Sequence, residues 1–196
     1  MSHMSDAGLA DGRRTRMCVA MAASWIVIAP GQPARGGWAE PEPQFQVNTY
    51  TTNRQYQPSV AAAPGGGFLI AWESLGDPLG VTSGLSVVAQ RYDADGAPVG
   101  ESLQVSEGLT GGRGRPSVAC SMDDSCVVVW QDVAAAGPDL DSTIRGRRVS
   151  SDGAALAAEL QINSYTTGPQ STPAAARISD GSFVVTWQSR GSSGTD

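Results

Sequence analysis

The 196-residue chain contains no lysine, and its single histidine, His3, lies within the first few residues. All thirteen basic residues are arginine. A mature chain without histidine or lysine cannot carry a Ser-His-Asp triad, a Schiff-base lysine, a phosphate-loop lysine or a histidine-ligated metal. Charge is sparse: 16% of residues are charged against 40% apolar, the balance of a globular chain rather than a disordered one. Long apolar runs are also missing. The longest, Met17 to Pro30, falls short of the roughly 20 residues a membrane-spanning helix needs. No window shows helical periodicity, which excludes an α-class domain.

That short apolar run has a place of its own. Arg13, Arg14 and Arg16 precede it, and small residues follow it down to Gly37-Trp38-Ala39. A basic start, a short apolar core and a small-residue end read as a secretory signal, residues 1–39, with cleavage after Ala39. The Arg13-Arg14 pair lacks a twin-arginine continuation, and Cys18 lacks a lipobox context, so general secretion is expected, with a secreted or cell-surface destination. Removal of the leader leaves seventeen acids against nine arginines, a net charge of −8. An acidic surface repels phosphate backbones, which argues against nucleic acid and anionic membranes as partners.

The mature part, 40–196, is governed by an internal repeat. Gln46-Val47-Asn48-Thr49-Tyr50-Thr51-Thr52, Pro58-Ser59-Val60-Ala61 and Phe68-Leu69-Ile70-Ala71-Trp72-Glu73-Ser74 recur as Gln104-Val105-Ser106, Pro116-Ser117-Val118-Ala119 and Cys126-Val127-Val128-Val129-Trp130-Gln131-Asp132. They recur again as Gln161-Ile162-Asn163-Ser164-Tyr165-Thr166-Thr167, Pro173-Ala174-Ala175-Ala176 and Phe183-Val184-Val185-Thr186-Trp187-Gln188-Ser189. The Gln, Pro and Trp markers step by 58 and then 57 residues. The units are 44–101, 102–158 and 159–196, the last incomplete. Each full unit reads as four short strands, in the first Ser59–Ala63, Phe68–Glu73, Leu85–Tyr92 and Ser102–Val105, with Gly- and Asp-rich turns between them. Four strands per repeat predict an all-β chain of β-propeller-like blades, with a stacked β-sandwich as the alternative. About 2.6 repeats are too few to close a propeller, and Gln44–Asn48 reads as a fourth strand standing ahead of the first complete unit. This points to a piece of a larger propeller, or to self-association through open blade edges.

The Gln-Val-Asn-x-Tyr-Thr-Thr, Asp-Gly-Ser-Phe-Val-Val-Thr-Trp-Gln-Ser and Gln-Arg-Tyr-Asp-Ala-Asp-Gly-x-Pro-Val-Gly stretches resemble the tandem repeats of large secreted or surface-displayed bacterial proteins. The resemblance covers about residues 44–196. It implies propeller-like blades and assigns no activity.

Individual residues narrow the reading. Cys120 and Cys126 flank a five-residue turn where unit one has Ala62 and Phe68 and unit three has Arg177 and Phe183. Facing strand positions in an exported chain predict a disulfide. Trp72, Trp130 and Trp187 recur at a buried-strand position and read as inter-blade packing before sugar-stacking platforms. Tyr50 and Tyr165 sit in loops and are candidates for a ligand-facing surface. Arg145, Arg147 and Arg148 form one basic spot, and Arg113 and Arg115 another, expected in a loop. Either could grip an anionic polysaccharide or pair with neighbouring acids. Asp77, Asp139 and Asp141 could offer oxygen ligands to calcium as a cofactor, but they lack a Gly-framed ligand pattern and read first as solvated loop. Asp180-Gly181…Trp187 resembles an Asp-box with too long an Asp-to-Trp interval. Carboxylate pairs such as Asp93 and Asp95 are explained as turn formers, so no catalytic residue and no metal site is assigned. The expectation is a non-catalytic extracellular scaffold or adhesion module with a glycan or protein partner. The alternatives are a lectin-like binder and a part of a polysaccharide-acting enzyme.

Overall fold

A computed structural model describes residues 44–76, 84–107, 111–133 and 142–190, together with the backbone of Trp25–Ile26. Apart from those two residues, the segment 1–39 expected to be a leader lies outside the described residues, as do Asp77, Asp139 and Asp141. Every described element is a strand: β1 Trp25–Ile26, β2 Phe45–Gln46, β3 Gln55–Ala62, β4 Phe68–Leu75, β5 Leu85–Tyr92, β6 Pro98–Gln104, β7 Gly112–Cys120, β8 Cys126–Val133, β9 Ser142–Val149, β10 Leu160–Gln161, β11 Gln170–Arg177 and β12 Phe183–Ser189. Among the described residues no helix is long and apolar enough to cross a membrane.

Each unit is an antiparallel meander. β3, β4, β5 and β6 pair in order, β7 to β10 repeat the pattern, and β11 with β12 begins it a third time. One parallel pair, Leu85 with Gly112, ties the first two sheets together. The hairpins form where a tight turn is encoded: Asp93 Oδ1 accepts the N–H groups of Asp95 and Ala97, and Gly96 takes φ +83°, a conformation that disfavours a side chain.

The middle strands carry near-continuous apolar runs because both faces are covered. On one face of the first blade Phe68, Ile70, Trp72, Val88 and Tyr92 gather under Phe45 and Val47. On the other, Leu69, Ala71, Val87 and Ala89 meet Val118, Cys126, Val128 and Trp130 of the second blade. Ala119, Val127 and Val129 then meet Ala175, Phe183 and Val185 of the third unit. Successive units thus pack face to face in chain order, as propeller blades do, and the described blades do not close a ring.

The expected strands are present with changed bounds: the fourth begins at Pro98 rather than Ser102 and ends at Gln104, the second runs on to Leu75, and two further differences follow from a bulge. β3 starts earlier than Ser59, because the chain crosses a bulge at Gln57-Pro58 and continues pairing through Tyr56 and Gln55. Arg113 and Arg115 belong to β7 rather than to a loop, since the same bulge lets Gly112–Gly114 pair with Gln131–Val133. The leading Phe45–Gln46 segment pairs with Trp25–Ile26. Its neighbour Val47 accepts the Tyr92 hydroxyl at 3.2 Å, and burial pushes that phenol up to about 12.

Candidate functional site

The first strands of the three units, β3, β7 and β11, lie side by side. Two serine hydroxyls stitch them at one repeat position: Ser59 Oγ accepts Val118 N–H at 3.2 Å, and Ser117 Oγ accepts Ala175 N–H at 3.0 Å. Toward the hairpin end these strands line a cavity of about 510 Å³ walled by small residues such as Ala61, Val118 and Ala175. Toward the opposite end each strand is broken by the same bulge, between Tyr56 and Ser59, Gly114 and Ser117, and Ser171 and Ala174.

The bulge residue is in the left-handed region in all three: Gln57 at φ +44°, Arg115 at +54° and Thr172 at +54°. Each is exposed and each precedes a proline. Left-handed backbone costs an L-residue about 1–2 kcal/mol, and a residue before proline is normally held extended. The row is linked, since Arg115 Nη1 donates to Thr172 Oγ1 at 2.7 Å. Beneath it lies Glu73, 6% exposed, at the repeat position that holds Gln131 and Gln188 in the other units. Its Oε1 accepts Arg115 N–H at 2.6 Å, and Gly114 has no side chain because a Cβ there would fall 2.3 Å from Glu73 Oε1. Burial pushes the Glu73 carboxyl up, partly offset by the Arg115 N–H and guanidinium.

Tyr50 and Tyr165 lie in loops that lead into β3 and β11, at the bulged end of those strands. Each loop is fixed the same way: Asn48 Nδ2 donates to Tyr50 O and Asn163 Nδ2 to Tyr165 O, both at 2.7 Å. Arg145 and Arg147 are not brought to them. Arg145 binds Asp132 at 2.9 Å and Glu159 at 3.1 Å, and Arg147 binds Glu107 at 2.8 Å as well as the carbonyl of Ala157. Arg113, 9% exposed, joins this cluster 3.7 Å from Asp132. Trp130 is buried between the first two blades, Trp72 is buried in the cluster under Phe45 and Val47, and Trp187 is half-buried.

Cys120 and Cys126 are direct partners across the β7–β8 hairpin and are joined by a disulfide, with Cα atoms 3.9 Å apart. Arg91 of the first blade donates to Cys126 Sγ at 3.2 Å and to Asp124 O at 3.1 Å, so the bridge is also a contact between blades. Asp123 and Asp180 are held below the usual carboxylate range by Ser125 and Ser182, whose hydroxyls and N–H groups they accept inside their own turns.

Sequence reasoning missed Gln57, Thr172 and Glu73. Two signals were present: an X-Pro pair at the repeat period, and a lone Glu after tryptophan where the other units have Gln.

No family model matches the chain, and no curated protein matches it either. Among solved structures the fold is similar to that of the Hadza microbial sialidase Hz136, with TM-score 0.50 and 14% identity over 67% of this chain and 31% of that one. It also resembles an endo-arabinase from Bacteroides thetaiotaomicron VPI-5482, with TM-score 0.48 and 12% identity over 94% of this chain and 75% of that one. The chain spans about a third of the length of the sialidase. At such identity the likeness is one of fold. It places the chain among all-β proteins built of β-propeller blades.

Proposed function

We propose that the chain is a non-catalytic extracellular scaffold or adhesion module, secreted or displayed at the cell surface, contributing blades to a β-propeller. The observation that carries this reading is the fate of Glu73. It is the carboxylate best placed for acid–base work, buried with a raised pKa beside a strained row, yet its Oε1 is anchored on Arg115 N–H and packed on Gly114. A carboxylate so held acts as a strut between blades. The disulfide supports an oxidising compartment. The test is turnover: purified chain incubated with neutral and acidic polysaccharides should release no reducing ends above a blank. Release that disappears in Glu73→Gln would overturn the reading.

A second reading, part of a polysaccharide-related protein, is supported by the fold likeness to a sialidase and by the exposed bulge row. In it the chain meets a glycan, and reaction chemistry, if there is any, is not supplied by Glu73.

A further inference from the structure

The geometry points to the bulge row Gln57–Arg115–Thr172 as a binding site for a carboxylate-bearing oligosaccharide, with Arg115 as the anion anchor. Among the described residues, left-handed backbone otherwise falls on glycines and on Asn53 and Asp124, residue types that tolerate it. Only the three bulge positions place Gln, Arg and a β-branched Thr there. Glycine would adopt the same backbone without the steric cost. The repeat therefore keeps a strained backbone in all three units while varying the side chain it carries, and each of those side chains is exposed. Strain held at equivalent exposed positions with polar, donor-bearing side chains is the pattern of a ligand surface rather than of packing.

The chemistry of the row sets the ligand class. It offers an amide, a guanidinium and a hydroxyl at successive first strands. Arg115 Nη1 is held on Thr172 Oγ1, which fixes the orientation of the guanidinium plane. Glu73 Oε1 below accepts Arg115 N–H, and its carboxylate also feels the Arg115 guanidinium charge without a hydrogen bond to it among the described residues. Hydroxyl-rich chains that carry a carboxylate match amide and hydroxyl partners together with a planar fork that donates to a carboxylate bidentately. The proposal goes beyond the scaffold reading, uses none of Tyr50, Tyr165, Arg145 or Arg147, and requires no turnover.

The test is titration of the full chain with uronate oligosaccharides and with neutral oligosaccharides of the same length, in low and moderate salt. Wild type should bind the uronates at least tenfold more tightly than the neutral set, with affinity falling as salt rises. Arg115→Gly should lose at least tenfold in uronate affinity while still unfolding in one cooperative transition, because glycine accepts the strained backbone. Arg115→Lys should retain part of the affinity. Equal binding of neutral and acidic oligosaccharides, binding by Arg115→Gly at wild-type strength, or no binding to either set would overturn the site. Turnover accompanying acid-selective binding would overturn the non-catalytic reading and leave the site standing.

Discussion

Trp72 donates its indole N–H to Gln55 Oε1 at 2.8 Å, and Trp187 donates to Gln170 Oε1 at 3.0 Å, each across seventeen residues. The second unit breaks the pattern. Its glutamine position holds Arg113, and the buried Trp130 Nε1 has no partner among the described residues. Three further positions change with it: Ser74, Val88 and Ser102 of the first unit correspond to Asp132, Arg145 and Glu159. Together these form an alternating cluster in which Asp132 sits between two arginines. Removing one member of a buried charge set leaves its partners desolvated, whereas removing a matched pair can be nearly neutral. Asp132→Ser alone should therefore cost about 2–3 kcal/mol in denaturant unfolding. Adding Arg113→Gln should recover most of it, by deleting one orphaned cation and giving Trp130 an acceptor. A cycle in which the two losses simply add would show that the cluster is not coupled.

At the scale of elements, what could be read in advance was what period and pairing dictate. Leu85–Tyr92 appears with the bounds expected for it, and the hairpin register is the expected one, Ala62 with Phe68, Cys120 with Cys126 and Arg177 with Phe183. The bulges were not legible, because proline inside a run marks a strand end as readily as a bulge. The charge cluster was not legible either, since its members come from β7, β8 and β9 and from the chain just before β10, and only pairing brings them together. Two predictions belong here. The disulfide closes a short hairpin loop, so a Cys120→Ala, Cys126→Ala double variant should lose about 2 kcal/mol, read as a lower urea midpoint with an unchanged slope. The Glu73 contact joins β4 to the bulge of β7, and its carboxyl sits above the ordinary value of 4.5. A folded pKa above the unfolded one favours the protonated form, so that contribution is present at acid pH and lost as pH rises through the folded pKa. Glu73→Gln restores the residue type of the other units and keeps an acceptor for Arg115 N–H. Its thermal midpoint should exceed wild type at pH 7, and the difference should vanish below the ordinary carboxylate range. A gain that persists at acid pH would show that desolvation of the charge is not its cause.

For the molecule as a whole, the position of one asparagine reports how the blades are completed. After the fourth strand of each unit a polar side chain reaches back to the third: Ser106 Oγ accepts Val87 N–H at 3.0 Å, and Asn163 Oδ1 accepts Ile144 N–H at 2.8 Å. Beside them the backbone pairs in the same way, Val105 N–H to Val87 O at 2.8 Å and Ile162 N–H to Ile144 O at 2.7 Å. Asn48 holds the equivalent place ahead of the first complete blade. It is 5% exposed, its amide fixes Tyr50 as Asn163 fixes Tyr165, and its Oδ1 has no partner among the described residues. Phe45 and Val47 cover the apolar face of that blade and Phe45–Gln46 pairs with Trp25–Ile26, so this segment is packed and paired like a fourth strand. The difference is measurable. Asn163→Ala removes two hydrogen bonds and leaves Ile144 N–H buried and unpaired, and should cost about 2 kcal/mol more than Asn48→Ala, which removes one. Equal costs in the two variants would mean that a strand N–H reaches Asn48 in solution. Size-exclusion chromatography of the full chain would then separate the sources: a monomer would place that strand in the same molecule, and a concentration-dependent dimer in a second copy.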